Sequence, residues 1–480
     1  MISLPTYDGE TAVFGLGRSG LSAVRALIAA GNNVVAWDDN AQQRAAAAQA
    51  GAQIRDIAEN FGAPARLVLS PGVPLTHPQP HNVVKAAKAA GVPVVGDVEL
   101  FADAVRLMNP APNIVAVTGT NGKSTTSALI AHLVSACGGV VQLGGNIGHA
   151  VLDLDMPETD TPTVYVLELS SYQIDLLDRF KADIAVLTNF SADHLDRHGN
   201  MAGYIHAKSR LFDMLSADGT AIIGVDDADS RGVADRVQAS GLNVCRIGAH
   251  GAADIFWQAG ALTDGTDALV DLQNAPALRG AHNGQNAAAA CAVLRGLGYE
   301  FAQLQDAFTR FPGLEHRLQP VAIHENLIFV NDSKATNAEA TRHALAAYDN
   351  IYWIVGGRAK DDGLANLEDF YTKIRAAFLI GEAAERFQRA LEGHLTCHMS
   401  GTLDKAVRTA ADLAASDLAA SDLAGDDHAS ATILLSPACA SFDQFPDFEA
   451  RGAAFCAAVE QWQSKAPTSQ APTNQEGASC

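Results

Sequence analysis

Short runs of β-branched and leucine-rich positions recur along the chain, separated by Ala-rich stretches whose apolar residues fall three and four apart. The runs at 11–14, 33–37, 67–69, 114–117, 164–169 and 184–187 predict strands, as do 327–330, 351–355, 377–380 and 432–435. They lack strict polar alternation, which is the pattern of strands buried on both faces. Strands alternating with helices predict an α/β fold of mostly parallel sheets with right-handed crossovers.

Two Pro-containing breaks, Asn109-Pro-Ala-Pro-Asn113 and Phe311-Pro-Gly313, interrupt the pattern, because neither sequence can sit inside a helix. They divide the chain into expected domains 1–109, 110–312 and 313–463. The remainder, 464–480, is rich in Pro, Ser, Thr and Gln and reads as a disordered tail. Residues 412–426 repeat Asp-Leu-Ala-Ala-Ser. That period of five fits neither strand nor helix, so the segment reads as an exposed acidic insertion.

Composition narrows the choice of function. A chain of 480 residues with 48% hydrophobic and 18% charged residues can bury sizeable cores, so wholesale disorder is excluded. Lys and Arg total 33 against 54 Asp and Glu, a net charge of −21 that argues against an overall basic nucleic-acid surface. Any anionic substrate must therefore be held by local cations. The first ten residues show no secretory pattern, and no apolar stretch reaches the ~20 residues of a membrane span. The seven cysteines include no C-x-x-C pair, so neither a disulfide scaffold nor a zinc site is expected and a reducing cytoplasm fits.

Two nucleotide signals compete. Gly15-Leu-Gly17-Arg-Ser-Gly20 follows a strand and opens a helix, and Asp38 ends the next strand about 20 residues on. Alone, this fingerprint would fit a nicotinamide- or flavin-dependent dehydrogenase. The second signal is more specific. The strand at 114–117 leads into Thr118-Gly-Thr-Asn-Gly-Lys-Ser-Thr125, and then a helix has Leu129, Ile130, Leu133, Val134 and Cys137 on one face, stopped by Gly138 and Gly139. Such a loop wraps phosphates with backbone N–H groups, neutralises them with Lys123 and offers the Ser124 hydroxyl to Mg²⁺. Val117 stands where the full Walker pattern has its first glycine. Together the two signals predict ATP and a second, diphosphate-bearing compound.

Further candidates lie at strand ends, where parallel sheets place their chemistry. Glu168 ends a buried strand near the phosphate loop, as a Mg²⁺ ligand would. The loop after the strand at 184–187 carries Asp193, His194, Asp196, Arg197 and His198, a density that suggests a site. Spacing alone reads Lys208 as a solvated lysine on a helix. Asn283 and Asn286 could read a purine edge or cap the Ala-rich helix beside them.

These motifs together resemble the Mur ligase family, the ATP-dependent amide-forming enzymes of peptidoglycan precursor synthesis. The resemblance spans nearly the whole chain and rests on Gly119-Thr-Asn-Gly-Lys-Ser-Thr125, Gly144-Gly-Asn146-Ile-Gly, Glu168-Leu-Ser-Ser, Asp193-His-Leu-Asp and His282-Asn-x-x-Asn286. Gly15-Leu-Gly17, Ser70-Pro-Gly72, Gly96-Asp-Val-Glu99, Asn331-Asp-Ser-Lys-Ala-Thr-Asn337 and Leu435-Ser-Pro-Ala-Cys-Ala-Ser-Phe-Asp-Gln-Phe445 are most similar to the members that add D-glutamate to UDP-N-acetylmuramoyl-L-alanine. The family implies a Rossmann-like N-terminal domain, a P-loop ATPase-like central domain and a Rossmann-like C-terminal domain, in a monomer. It implies UDP-sugar contacts at Arg18, Ser19, Asp38, Ser70 and Asn146. Some relatives have a basic residue after the acidic one, and Asp38-Asp-Asn40 lacks it. ATP contacts are implied at Gly119, Thr120, Asn121, Gly122, Lys123, Ser124, Thr125, Asn283, Asn286, Arg317 and Asp332. Two Mg²⁺ ions would be held by Ser124, Glu168, His194 and a carbamylated Lys208, with Lys123, Glu168, His194 and Lys208 catalytic. Lys334, Thr336, Lys360, Ser441 and Phe448 would bind D-glutamate. A nicotinamide-dependent dehydrogenase and a non-catalytic nucleotide-binding regulator are the alternatives. The phosphate loop and C-terminal motifs oppose the first, and the intact Lys123, Glu168, His194 and Lys208 oppose the second.

Overall fold

The computed structural model describes residues 1–108, 111–156, 162–251, 253–300, 304–359, 363–422 and 430–465. The chain forms two compact units, Met1–Phe311 and Pro312–Cys480, so the division falls inside Phe311-Pro-Gly313.

The first unit contains two sheets. One is wholly parallel, in the order β3-β2-β1-β4-β5: β1 (Glu10–Phe14), β2 (Asn33–Trp37), β3 (Gln53–Ile54), β4 (Arg66–Leu69) and β5 (Val94–Val95). The order reverses between β1 and β4, which opens a crevice at their carboxyl ends. The second sheet has nine strands: β6 (Asn113–Thr118), β7 (Val140–Gly145), β8 (Thr163–Glu168), β9 (Ala182–Leu187), β10 (Leu215–Gly224), β11 (Asn243–Gly248), β12 (Ile255–Gln258), β13 (Ala261–Thr263) and β14 (Ala268–Asp271). Its order is β14-β13-β12-β11-β10-β9-β6-β8-β7, parallel except for the β12-β13-β14 meander.

The two sheets share one core. Val13, Leu16, Val24 and Phe101 pack in the same buried cluster as Ala116, Tyr165, Leu167 and Leu187. The Phe101 and Tyr165 rings meet edge-on at 5.1 Å. Buried Glu99 reinforces this seam by accepting the backbone N–H groups of Asp178, Arg179 and Phe180 at 3.0, 2.8 and 3.2 Å. A carboxylate with several N–H donors is well satisfied despite its burial.

The second unit is built on β15 (Gln319–His324), β16 (Leu327–Asn331), β17 (Ile351–Gly356), β19 (Ile374–Ile380), β20 (Cys397–Gly401) and β21 (Ala431–Leu435), in the order β15-β16-β21-β17-β19-β20. Only β15 is antiparallel to its neighbour. A two-stranded ladder pairs β18 (Arg358–Ala359) with β22 (Cys439–Ala440). Separate apolar clusters cover the two faces of the six-stranded sheet.

One expectation is overturned. Helix Leu403–Asp422 runs through most of the Asp-Leu-Ala-Ala-Ser repeat. Ala410, Ala411, Ala414 and Leu418 point into the core against Tyr352, Ile354 and Phe378. Two of the aspartates are used as well: Asp412 accepts from the Trp462 indole at 2.8 Å and Asp417 from the Tyr352 hydroxyl at 2.5 Å. A five-residue period does not rule out a helix when the small apolar residues within it still leave an i, i+3, i+7 stripe. Residues 423–426 of the repeat and 466–480 of the expected tail lie outside the described residues. Among the described residues no helix is long and apolar enough to cross a membrane.

Candidate active site

In the nine-stranded sheet, β9, β6 and β8 are neighbours, and the loops leaving their carboxyl ends meet. The loop after β6 is shaped by Gly119 at φ +139° and Gly122 at φ +81°, and helix Lys123–Ala136 starts directly from it. Both glycines are obligatory. A Cβ on Gly119 would lie 1.9 Å from the Thr188 hydroxyl, and one on Gly122 would lie 2.2 Å from the Asn286 amide oxygen. The loop is braced from β9's side by Asn189, which accepts the Asn121 N–H at 2.9 Å and donates to the Asn121 carbonyl at 3.2 Å. Lys123 Nζ turns back onto the carbonyls of Gly119 and Thr120 at 3.0 and 2.8 Å. Ser124 is buried at the first turn, and Thr125 is partly buried beside it.

Asn283 and Asn286 sit beneath this loop. Asn286 accepts from the Thr126 hydroxyl at 3.2 Å and donates to Asn283 at 3.1 Å, and Asn283 donates to the Arg279 carbonyl at 3.0 Å. Neither side chain caps helix Ala281–Gly296, whose N-cap Gly280 has no side-chain partner.

Glu168, at the end of β8, is 1% exposed. Its Oε1 accepts from the Asn146 side chain at 2.8 Å, while Oε2 is buried without a hydrogen-bond partner. A buried carboxylate oxygen left unpaired is costly, and a cation would relieve that cost.

Lys208 lies on helix Met201–Asp213 and is only 2% exposed, so the solvated reading from spacing is wrong. The helix face carrying it turns inward with Tyr204, Leu211 and Phe212. Nζ donates to the Thr118 hydroxyl at 3.3 Å and lies 4.9 Å from the Tyr204 ring centroid. Desolvation, helped by the charge of Lys123, holds its ammonium pKa well below the usual lysine value, against the opposing pull of Asp193 and Glu168.

His194 occupies a left-handed backbone conformation at φ 52° and is half-exposed beside Asp193 and the Tyr172 ring. Burial lowers its pKa, with Asp193 opposing and the Lys208 and Lys123 charges adding. Its neighbour Arg197 spans to the first sheet, donating to the carbonyls of Gly72, Pro71 and Val73 at 3.0, 3.4 and 3.2 Å. His198 is buried against Ser171, and desolvation pushes it down to about 4.

The expected UDP-sugar residues gather at the crevice of the first sheet. A Cβ on Gly15, at φ +83°, would meet the Ser70 Cβ at 2.7 Å. Asp38 closes the loop by accepting the N–H groups of Leu16 at 2.6 Å and Asn40 at 2.8 Å. Ser19 lies near Asp97, whose two carboxylate oxygens are buried without a hydrogen-bond partner, and burial raises the Asp97 pKa to about 6 with Ser19, the Val98 N–H and Arg18 opposing. Arg18 reaches across to the Gly145 and Gly148 carbonyls.

In the second unit, the loops after β16 and β21 leave adjacent strands. Asp332 is buried and pushed up to about 7 by desolvation, against the Ser436 hydroxyl, the Leu318 N–H and the charges of Arg317 and Arg451. Lys334 Nζ lies 3.8 Å from the Phe448 ring centroid. Thr336 is partly buried and Ser441 is 2% exposed. The Phe448 carbonyl accepts the Ser333 hydroxyl at 2.8 Å, and buried Arg451 donates to the Ser333 hydroxyl and carbonyl at 3.0 and 2.8 Å. Lys360 lies outside the described residues.

Sequence reasoning did not single out Asn189, Tyr204 or Arg451, and it noted Arg197 only as one residue in a dense loop. Asn189 and Arg197 stand in the polar run after β9, where a signal existed. Arg451 carries none: a lone Arg in a helix reads as surface until its burial is seen.

Two family models match the chain: the Mur ligase middle domain over residues 117–294 and the Mur ligase MurD-like N-terminal domain over residues 9–96. The UDP-N-acetylmuramoylalanine--D-glutamate ligase of Caulobacter vibrioides is 49% identical over 471 residues, covering 96% of this chain and 97% of that protein. The ligase of the same name from Rhizobium meliloti is 48% identical, covering 95% and 97%. Among solved structures, the UDP-N-acetylmuramate-alanine ligase MurC of Thermotoga maritima shares the fold with a TM-score of 0.57 at 18% identity, covering 95% of this chain and 100% of that one. MurF from Acinetobacter baumannii does so with a TM-score of 0.55 at 15% identity and 93% coverage of both chains. The chain belongs to the Mur ligase family.

Proposed function

We propose that this chain is an ATP-dependent ligase that adds D-glutamate to UDP-N-acetylmuramoyl-L-alanine in peptidoglycan precursor synthesis, releasing ADP and phosphate. The observation that carries the reading is the cluster at the ends of β6, β8 and β9. A glycine-shaped phosphate loop, a buried carboxylate with one oxygen unpaired and a desolvated lysine lie within each other's electrostatic reach.

The substrate carboxylate oxygen attacks the γ-phosphorus of ATP and the bond to ADP breaks, giving an acyl phosphate. The D-glutamate amine then attacks the acyl carbon, loses a proton and expels phosphate. Two anions must approach in the first step, so catalysis depends on fixed opposite charge. Lys123 and the loop residues Gly119, Thr120, Asn121, Gly122 and Thr125 surround the ATP phosphates, the Thr120 and Asn121 N–H groups being already held by Asn189. Asn146, fixed on Glu168, faces the same region. Asn283 and Asn286 support the loop from below and border the adenine side.

The family's Mg²⁺ dependence fits the residues present. Among the described residues no cluster of three or more His, Cys, Asp or Glu side chains forms a ready-made cage. Mg²⁺ characteristically takes one or two carboxylates together with substrate phosphates. Ser124 and the unpaired Glu168 oxygen would hold one ion, and His194 with a carbamylated Lys208 a second. The ions supply charge neutralisation between carboxylate and phosphate. Carbamylation requires an uncharged amine, and the desolvated Lys208 is poised to provide one.

Arg18, Ser19, Asp38 and Ser70 border the UDP-sugar crevice. Arg317 and Asp332 complete the ATP contacts, and Lys334, Thr336, Lys360, Ser441 and the Phe448 backbone receive D-glutamate. Segments 1–109, 110–312 and 313–463 thus serve the UDP-sugar, ATP and amino acid in turn. The enzyme is assigned to the cytoplasm as a monomer, without membrane insertion or nucleic-acid partners. Phosphate release measured across a panel of amino acids tests the reading: D-glutamate should support it only with the UDP-sugar present. Release that required L-alanine or a diamino acid instead would move the chain to another activity of the family.

A further inference from the structure

Arg18 stands at the first turn of helix Arg18–Ala29, beside the crevice of the five-stranded sheet, and its side chain reaches the turn after β7 in the nine-stranded sheet. One guanidinium nitrogen donates to the Gly148 carbonyl at 2.8 Å and the other to the Gly145 carbonyl at 3.1 Å. These two carbonyls are the two ends of the turn that leaves β7. The turn is tight: the Gly145 N–H bonds the His149 carbonyl at 2.9 Å, and Gly145 and Gly148 have φ of +103° and +59°. It also rests directly on the end of β8. A Cβ on Gly145 would lie 2.3 Å from the Glu168 carbonyl oxygen, and the Asn146 N–H bonds that same oxygen at 2.8 Å. Between the clamped ends, Asn146 donates its side-chain amide to Glu168 Oε1 at 2.8 Å, leaving Oε2 unpaired.

We infer that Arg18 is a positioning residue: by clamping both ends of the Gly145–Gly148 turn it holds Asn146 against Glu168, and so couples the glycine loop of the first sheet to the metal-binding carboxylate of the second. A guanidinium suits this task because its planar fork can donate to two carbonyls at once, whereas a lysine ammonium is a single flexible point. The geometry makes an order of events natural. A ligand that settles at the start of helix Arg18–Ala29 also fixes the base of the Arg18 side chain, and with it the orientation of the Glu168 carboxylate. Binding in one crevice would thereby prepare the other for nucleotide and metal, without any contact between the two ligands.

The inference rests on the ligase reading for the role of Glu168, so its test separates the two. Mn²⁺ serves as the probe, with affinity measured by electron paramagnetic resonance on the full chain in the presence of a non-hydrolysable ATP analogue. Ligation of D-glutamate is followed in parallel. Arg18→Ala should weaken Mn²⁺ binding about 5- to 10-fold, and Arg18→Lys should recover only part of that loss. Asn146→Ala should weaken it similarly, and the double variant should be no worse than either single one, as expected for residues acting through one contact. In turnover, Arg18→Ala should lower kcat and raise the Mg²⁺ needed for half-activation, at an unchanged thermal midpoint. Unchanged Mn²⁺ affinity in Arg18→Ala, with only the KM for the UDP-sugar raised, would overturn the positioning role in favour of a plain substrate contact. Additive losses in the double variant would overturn it too. If the unaltered chain bound Mn²⁺ and nucleotide but formed no product with D-glutamate, the ligase reading would fail while the Arg18 coupling would still stand or fall on the Mn²⁺ data.

Discussion

Lys208 is where one residue's surroundings matter most. Nothing in its sequence spacing separates it from a surface lysine, and the structure removes it from water beside a second cation. Lys208→Ala should abolish ligation, with partial recovery in added bicarbonate or a short carboxylic acid. A fully active variant would exclude a carbamate. Lys123→Ala should likewise remove activity, because nothing else in the loop supplies a positive charge. Ser441→Ala should act mainly on the KM for D-glutamate, and an unaltered KM would take Ser441 out of that site. Asp97 gives a prediction about stability. Its folded pKa is raised to about 6, above the ~3.9 of an unfolded aspartate, so between these values the folded state holds the extra proton. Its contribution to stability should therefore fall as pH rises from about 4 to about 6, on top of the contributions of Asp332, raised to about 7, and His198, lowered to about 4. Asp97→Asn should make the urea midpoint fall less, or rise more, across the window than in the unaltered chain. A pH dependence unchanged by the substitution would contradict the burial argument.

At the level of elements, the sequence is readable where a segment's own pattern decides its state. All ten predicted strands form because each is built on a short, mostly apolar run that is largely buried in its sheet. Short edge strands such as β3 and β5, and the meander of β12 to β14, offer at most three apolar residues in a row and depend on their pairing partners. The phosphate loop is legible because glycines at fixed spacing have one geometric use. The function of Asn189 or Arg451 is not, since it depends on which loop lies opposite. Helix Leu403–Asp422 escapes a reading by period because its repeat hides the core-facing stripe. Deleting one copy, residues 412–416, removes five residues, and at 100° per residue rotates the remaining turns of the helix by about 140°. Leu418 would leave the core, and such a loss costs about 2–5 kcal/mol. Chemical denaturation of the deletion variant checks this, and a loss near zero would restore the surface-insertion reading.

For the whole molecule, the net charge of −21 says little about ligands, because every proposed one is itself an anion. What matters is the small set of cations in the strand-end loops, Lys123, Arg317 and Lys334 among them. The proposed chemistry joins a nucleotide held by the first unit to an amino acid held by the second, and it stands or falls on the acyl phosphate. The direct test is oxygen transfer. UDP-N-acetylmuramoyl-L-alanine labelled with ¹⁸O in its terminal carboxylate is turned over with ATP and D-glutamate, and the released phosphate is examined by mass spectrometry. One carboxylate oxygen should appear in the phosphate for each amide formed, with the other kept in the product. Amide formation with unlabelled phosphate would contradict the account.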